Sequence, residues 1–485
     1  MISIGSVVGM GLFLSTANSL RESGPLGLLL SYAVMGTMVF GVMDSLGEMV
    51  SHLPIAGGHI TLAKRFVNPS LSFALGWNFW YTWSFALAAE LAAAGILINY
   101  WITSVNNAVW ILVILAAVTC INFAPSKVYG DDIFRFASIK VVTIITLIII
   151  GIVIDLGGGP THHKIGFRFW KNPGPFVQFL DISGVKGRFL GFWQALIQAG
   201  FSCVGTEITA MTAGEAKNPR KTLPSAIRKV AVRIWLFYIL GTFVIGLVVS
   251  SDDPRLNLNS HNAASSPFVI AIQDSGIKVL PSIINAALLT AACSAASSDM
   301  YTTSRTLHGL ALAENAPAAL KQLNSQGIPW LCVLISSAMG LLSLMSVGGG
   351  GIGQLFTWLA TMVSVTGLQT WVGILITYLR WDLGVRAQSI DRSIFPYQSR
   401  LRRWGAYYVL TLCIMILISN PFTAFIKGQW STATLVTGYL PIVMFFTLYS
   451  SNKLFKQTKG QSIQLVKPAD MVSMAFFTHT YNFST

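Results

Sequence analysis

Long apolar runs, interrupted only briefly by polar residues, fill almost the whole chain. Twelve segments of membrane-spanning length are expected, near 2–20, 25–50, 70–101, 108–124, 132–155, 189–211, 231–250, 279–309, 330–347, 353–379, 405–420 and 432–451. About 20 apolar residues cross the hydrocarbon of a bilayer as a helix. A helix satisfies its own backbone there, which an open strand cannot do. The expected fold class is therefore an all-α membrane protein with twelve transmembrane helices. Composition agrees, because only 10% of the 485 residues are charged, against about 25% in soluble domains. Residues 1–451 read as one twelve-helix membrane domain and 452–485 as a polar tail.

The formal charge of +14 would suit a nucleic-acid partner, but its distribution argues otherwise. With an even number of spans, 22 lysines and arginines fall on the side of the termini and nine on the other, leaving Lys140 inside the fifth span. Basic residues mark the cytoplasmic side of a membrane protein. Both termini are thus expected in the cytoplasm, with membrane lipid and no nucleic acid as surroundings. The first run lacks the basic leading segment of a cleavable signal peptide. Five cysteines, Cys120, Cys203, Cys293, Cys332 and Cys413, lie in apolar runs without metal or redox spacing and read as small buried hydrophobes. His162 and His163 fall in the long outer loop 156–188; no third ligand accompanies them, so a solvated loop is expected. The run GGGG at 348–351 lacks the lysine of a phosphate loop and reads as a turn. No cofactor or metal is called for.

The stretch IGSVVGMGLF (4–13) places Gly5, Gly9 and Gly11 inside the first apolar run. Gly5 and Gly9 could form a helix-packing face, but Gly11 lies off it, which favours locally unwound backbone. The sixth run holds AGFSCVGTEI (199–208), where Ser202 and Gly205 repeat the spacing of Ser6 and Gly9. Counting five spans per repeat, the first and sixth correspond, which gives repeat one as 2–155, repeat two as 189–379 and peripheral helices at 405–451. Glycine-interrupted segments at corresponding positions point to a transporter site. Unwinding frees N–H groups at one half-helix start and C=O groups at another half-helix end, suiting a carboxylate and an ammonium respectively. An amino acid carries both.

Four ionisable residues fall deep in spans: Glu90, Lys140, Glu207 and Asp299. Such groups are costly and functional by default. Glu207, two residues past Gly205, is the first choice for proton coupling, with Lys140 and Glu90 beside it. Asp299 is expected to pair with Arg305 in a structural role. Asp44 and Glu48 read as gate or capping residues, and the loop 213–229 as a topology determinant.

Several stretches resemble the yeast amino acid transporter family, the fungal amino acid permeases of the amino acid–polyamine–organocation superfamily. They include IGSVVGMGLF, SGPLGLLLSYAVMGTMVFGVMDSLGEMVSHLPIAGG, NPSLSFALGWNFWY, FASIKVV, FLGFWQALIQAGFSCVGTEI, AGEAKNPRKTLPSAIRKV, SPFVIAI, LPSIINAALLTAACSAASSDMYTTSRTL and QSRLRRWG, covering roughly 2–450. The resemblance implies a LeuT-type fold of two inverted five-span repeats plus two peripheral helices, and amino acid uptake coupled to protons, most naturally at the plasma membrane. It places the substrate carboxylate on the amides of Gly9, Met10 and Gly11. The ammonium falls near the carbonyls of Val7, Phe201 and Val204, with Ser202, Gly205 and Thr206 completing that side. It also matches Glu207, Lys140 and Glu90 to family positions. Departures are Met10 where a threonine is usual, Ser297 in place of an asparagine, Arg135 in place of an aromatic, and no family-like tail before Met1. Trp358 is a candidate for the side-chain pocket. A transporter-like sensor is the alternative to transport. An enzyme is not expected, because His308 has no catalytic partner in its neighbourhood of the sequence.

Overall fold

The computed structural model describes residues 9–53, 55, 57–102, 104–124, 126–208, 225, 229–230, 232–257, 266–348 and 351–455; for 126–137 and 346–348 it describes the backbone alone. Val7, with Gly5 and Ser6, and most of the 213–229 loop lie outside the described residues. All regular structure among those residues is helical.

The first apolar runs become α1 (Gly11–His52), which opens with a π turn over Gly11–Ser15 and leaves helical geometry at Gly24 (φ 77°, ψ 172°). A positive φ costs glycine nothing, and Pro25 next to it suits the start of a new helical segment. The outer loop is docked onto this corner. Leu26 N–H donates to the Pro175 carbonyl at 3.0 Å, and Val177 N–H donates to Ser23 O at 3.3 Å. A Cβ on Gly24 would stand 2.8 Å from the Pro175 oxygen. The loop 156–188, expected to be solvated, therefore packs partly as a cover, although His162 and His163 remain exposed.

After α2 (Gly58–Phe66) comes α3 (Pro69–Ile98), whose start is fixed by Asn68 accepting from Leu71 N–H at 2.7 Å and by Pro69 in the first turn. Then follow α4 (Asn107–Asn122), α5 (Ser126–Asp155), α6 (Gly184–Cys203), α7 (Ile234–Val248) and α8 (Pro267–Asp274). The rest are α9 (Leu280–Leu312), α10 (Trp330–Met345), α11 (Ile352–Ala387), α12 (Arg402–Ser419) and α13 (Thr432–Phe455). Six of these, α1, α3, α5, α9, α11 and α13, hold stretches long and apolar enough to cross a membrane, and α4, α7 and α10 are shorter apolar helices.

Burial separates centre from periphery. The apolar window of α3 is 94% buried and that of α11 78%, against 17% for α13. Helices in lipid associate through close packing and interhelical hydrogen bonds rather than a hydrophobic drive. Accordingly Asn78 Nδ2 on α3 donates to Thr366 O (2.8 Å) and Thr370 Oγ1 (3.0 Å) on α11, and Asn285 Nδ2 on α9 donates to Leu97 O at 2.8 Å. Cys203, Cys332 and Cys413 are buried as expected, whereas Cys120 is exposed and Cys293 half-buried. Cys120 shares α4 with exposed Val109, Leu112 and Val113, so an apolar run does not imply burial in the protein interior.

At the far end of α1, Asp44 and Glu48 are fully buried. Asp44 accepts from Tyr397 OH (2.6 Å), Ser399 Oγ (2.5 Å), Arg400 N–H (3.3 Å) and Leu401 N–H (3.1 Å). Glu48 accepts from Tyr378 OH at 2.8 Å and from Arg392 Nη1 at 3.1 Å, and Arg392 also pairs with Asp382. The segment between α11 and α12 is thus clamped beneath α1. Removing one partner of a buried charged pair costs about 3–5 kcal/mol. Arg392→Ala, which leaves Glu48 with the Tyr378 hydroxyl and Asp382 with Arg386, is expected to lower the unfolding temperature in detergent. Arg386→Lys, which keeps a cation beside Asp382 at the more exposed of its two arginines, serves as the mild comparison. Thermal unfolding followed by size-exclusion chromatography reads both.

Candidate functional site

The chain enters α1 through Gly9 and Met10 and meets the C-terminal end of α6 at once. A Cβ on Gly11 would lie 2.7 Å from both Cα and Oγ of Ser202, so the two backbones touch and only glycine fits. Ser202 is held in turn from two helices: Tyr32 OH lies 2.9 Å from its Oγ, and Tyr238 OH donates to its carbonyl at 2.7 Å.

The α6 helix ends at Cys203. Val204 is extended (φ −60°, ψ 148°), and Gly205 takes φ +96°. Its N–H points at the Glu207 carboxylate, at 3.3 and 3.2 Å from the two oxygens. Glu207 Oε2 also receives Trp371 Nε1 at 3.3 Å and Thr206 Oγ1 at 3.5 Å. Glu207 is wholly buried, and its contacts hold it against the turn. Among the described residues no hydrogen bond goes to the carbonyl of Phe201 or Val204. These are two of the oxygens that the sequence reading assigns to an ammonium.

Glu90, on α3, reaches the other junction. Its Oε1 accepts from Met10 N–H at 3.1 Å, while its Oε2 is buried with no hydrogen-bond partner. One of the amides expected to face a substrate carboxylate thus already carries a carboxylate of the protein. Lys140 on α5 and Asp299 on α9 are 2% and 6% exposed, and both interact electrostatically with Glu90 and with each other. The expected Asp299–Arg305 pair is not formed: the Arg305 guanidinium lies over the Tyr301 ring at 5.0 Å, one helical turn beyond. Asp299 therefore belongs with the buried charges.

A cavity of about 340 Å³, its open mouth included, adjoins the junction on the side of Ser15 and Asn18; Gln198, Phe201, Phe356 and Thr361 help to line it. Phe201 and Phe356 meet edge to face with centroids 5.7 Å apart. From α11, Phe356, Thr357, Ala360, Thr361 and Ser364 line this space, and Trp358, chosen from the sequence, packs elsewhere against the core. Sequence reasoning also missed Tyr32, Tyr238 and Trp371; their polar-tipped rings inside apolar helices were the available signal.

Apolar helices, a helix end where the Phe201 and Val204 carbonyls accept no hydrogen bond among the described residues, and buried carboxylates at both junctions suit a membrane transporter. A manganese transporter from Eremococcus coleocola superposes with a TM-score of 0.54, covering 93% of this chain and 91% of that one at 13% identity, a likeness of fold alone. Residues 1–464 match the model of the amino acid permease family, and the chain belongs to that family. It is 37% identical over 464 residues to a proline-specific permease of Emericella nidulans, covering 94% of this chain and 84% of the relative. A dicarboxylic amino acid permease of Saccharomyces cerevisiae is 38% identical (95% and 76% covered), and a basic amino-acid permease of the same yeast 39% (93% and 78%). Relatives named for such different substrates are almost equally similar, so overall identity does not select among them.

The contact at Gly11 is open to a direct check. Overpacking a tight site costs about 1–3 kcal/mol, so Gly11→Ala is expected to lower the unfolding temperature and broaden the transition. Gly241→Ala is the matched control, because a Cβ there meets nothing within 4 Å and its stability should be unchanged or slightly higher.

Proposed function

We propose that this permease takes up amino acids by proton symport across the plasma membrane, with both termini in the cytoplasm and twelve membrane crossings. On this reading α1 turns at Gly24 into two crossings, α3–α7 and α9–α13 supply the other ten, and the spans form a LeuT-type pair of five-span repeats plus two peripheral helices. The substrate is a zwitterion between the start of α1 and the end of α6. Its carboxylate meets amides of Gly9, Met10 and Gly11, its ammonium meets carbonyls of Phe201 and Val204, and Ser202, Gly205 and Thr206 complete the cradle. The observation that carries this is the Gly11–Ser202 approach, which sets a helix start beside a helix end whose Phe201 and Val204 carbonyls accept no hydrogen bond among the described residues. A positive dipole end and a negative one within one small space suit a group bearing both charges on one carbon. Glu207, Lys140 and Glu90 are the proton-coupling groups. Relatives named as permeases give the sensor reading no support over transport.

Expression in cells deprived of their own amino acid permeases tests the reading. Labelled proline, lysine, glutamate and neutral amino acids are offered at acid and neutral pH. At least one should accumulate, faster in acid, and the gradient should collapse with a protonophore. Correctly inserted protein that moves none of them would overturn the proposal. Hydrogen bonds to a charged group contribute about 1.5–3 kcal/mol, so Glu207→Gln should slow uptake about tenfold or more with unchanged surface expression.

A further inference from the structure

We infer that Glu90 is a tethered competitor for the substrate's carboxylate: ionised, it occupies the Met10 amide, and only after taking a proton does it yield that amide to an amino acid. The inference rests on the binding site proposed above and adds an order to it, proton first and substrate second.

The geometry supplies the competition. Glu90 reaches across Gly9 so closely that a Cβ at that position would stand 2.6 Å from its Oε1. One N–H pointing one way cannot serve two carboxylates, and two anions at one site repel strongly in a low dielectric. The same geometry makes Glu90 exchangeable. Among the described residues, its hydrogen bonding is the single contact from Met10 N–H, with Oε2 buried and unpartnered. A buried charge held by so few donors is costly. Glu207 differs, because donors from Gly205, Thr206 and Trp371 converge on it.

The surroundings explain where the charge goes. The titratable groups that act on Glu90 among the described residues are Lys140 from α5 and Asp299 and Cys293 from α9. A proton from solvent on Glu90 removes one negative charge beside the Met10 N–H. The neutral carboxyl releases Met10 N–H, the substrate carboxylate accepts that hydrogen bond, and the net event is uptake of one proton per amino acid bound.

The test uses the full chain, purified in lipid nanodiscs, with tritiated L-proline, L-lysine and L-glutamate, taking whichever binds. In the wild type the apparent Kd should rise tenfold per pH unit above the ionisation of Glu90, within a range of about pH 5 to about pH 8. Binding in weak buffer at the alkaline end should draw one proton from solution. In Glu90→Gln the Kd should be flat across the range and no proton should be taken up. Asp299→Asn should move the midpoint while keeping the slope. A flat wild-type Kd with binding intact, or a Glu90→Gln variant that keeps the wild-type slope, would overturn the inference and leave transport standing. Should that variant fail to fold, wild-type proton uptake decides alone, and a value of zero is fatal. Folded wild type that binds no amino acid at any pH sinks the transport proposal itself.

Discussion

The contact on which the rest depends is the approach of Gly11 to Ser202, backbone against backbone. A side chain at this level of α1 would push the two helices apart, and the end of α6 would no longer stand beside the start of α1. Tyr32 and Tyr238 anchor Ser202 from both sides, so the position is fixed by hydrogen bonds as well as by shape. The left-handed turn at Gly205 follows two residues after the end of α6 at Cys203.

Ending helices inside apolar surroundings releases backbone groups that water cannot reach, and each unpaired group there costs several kcal/mol (about 2–7 by transfer measurements). The protein meets the N–H side of this demand with its own carboxylates, Glu90 on Met10 and Glu207 on Gly205. The two arrangements differ in kind. Glu207 sits two residues from the amide it accepts from and is braced by Trp371, whereas Glu90 comes from another helix and holds by one bond. Several donors hold Glu207 to its turn, and one holds Glu90 to Met10.

Much of the fold was legible because the signal is local. Apolar runs bounded by polar residues mark α3, α9 and α13 to within a few residues, and the sequence SGP marks the corner at Gly24. What the sequence hides is pairing across distance. Nothing near Glu48 announces Arg392, and Asp299 lies so close to Arg305 in sequence that a local pair is the natural reading. Helical geometry sends those two side chains elsewhere, Asp299 towards Lys140 and Glu90 and Arg305 onto Tyr301. Phe356 and Trp358 illustrate the same limit: two aromatics two residues apart face different sides of α11, and only packing tells which one meets the cavity.

The helix α11 connects the two ends of this arrangement. Gly367 packs so closely on the Val204 side chain that a Cβ would come within 2.2 Å, and Trp371 donates to Glu207. Tyr378, seven residues further and about two turns along the same face, donates to Glu48, and Asp382 pairs with Arg392 a turn beyond. All of Val365, Leu368, Trp371, Ile374, Leu375 and Tyr378 are wholly buried, so this stretch has no slack to absorb a displacement at one end. The Glu207 turn and the Glu48–Arg392 clamp thus meet the same buried stretch of α11, one at Trp371 and the other at Tyr378 and Asp382.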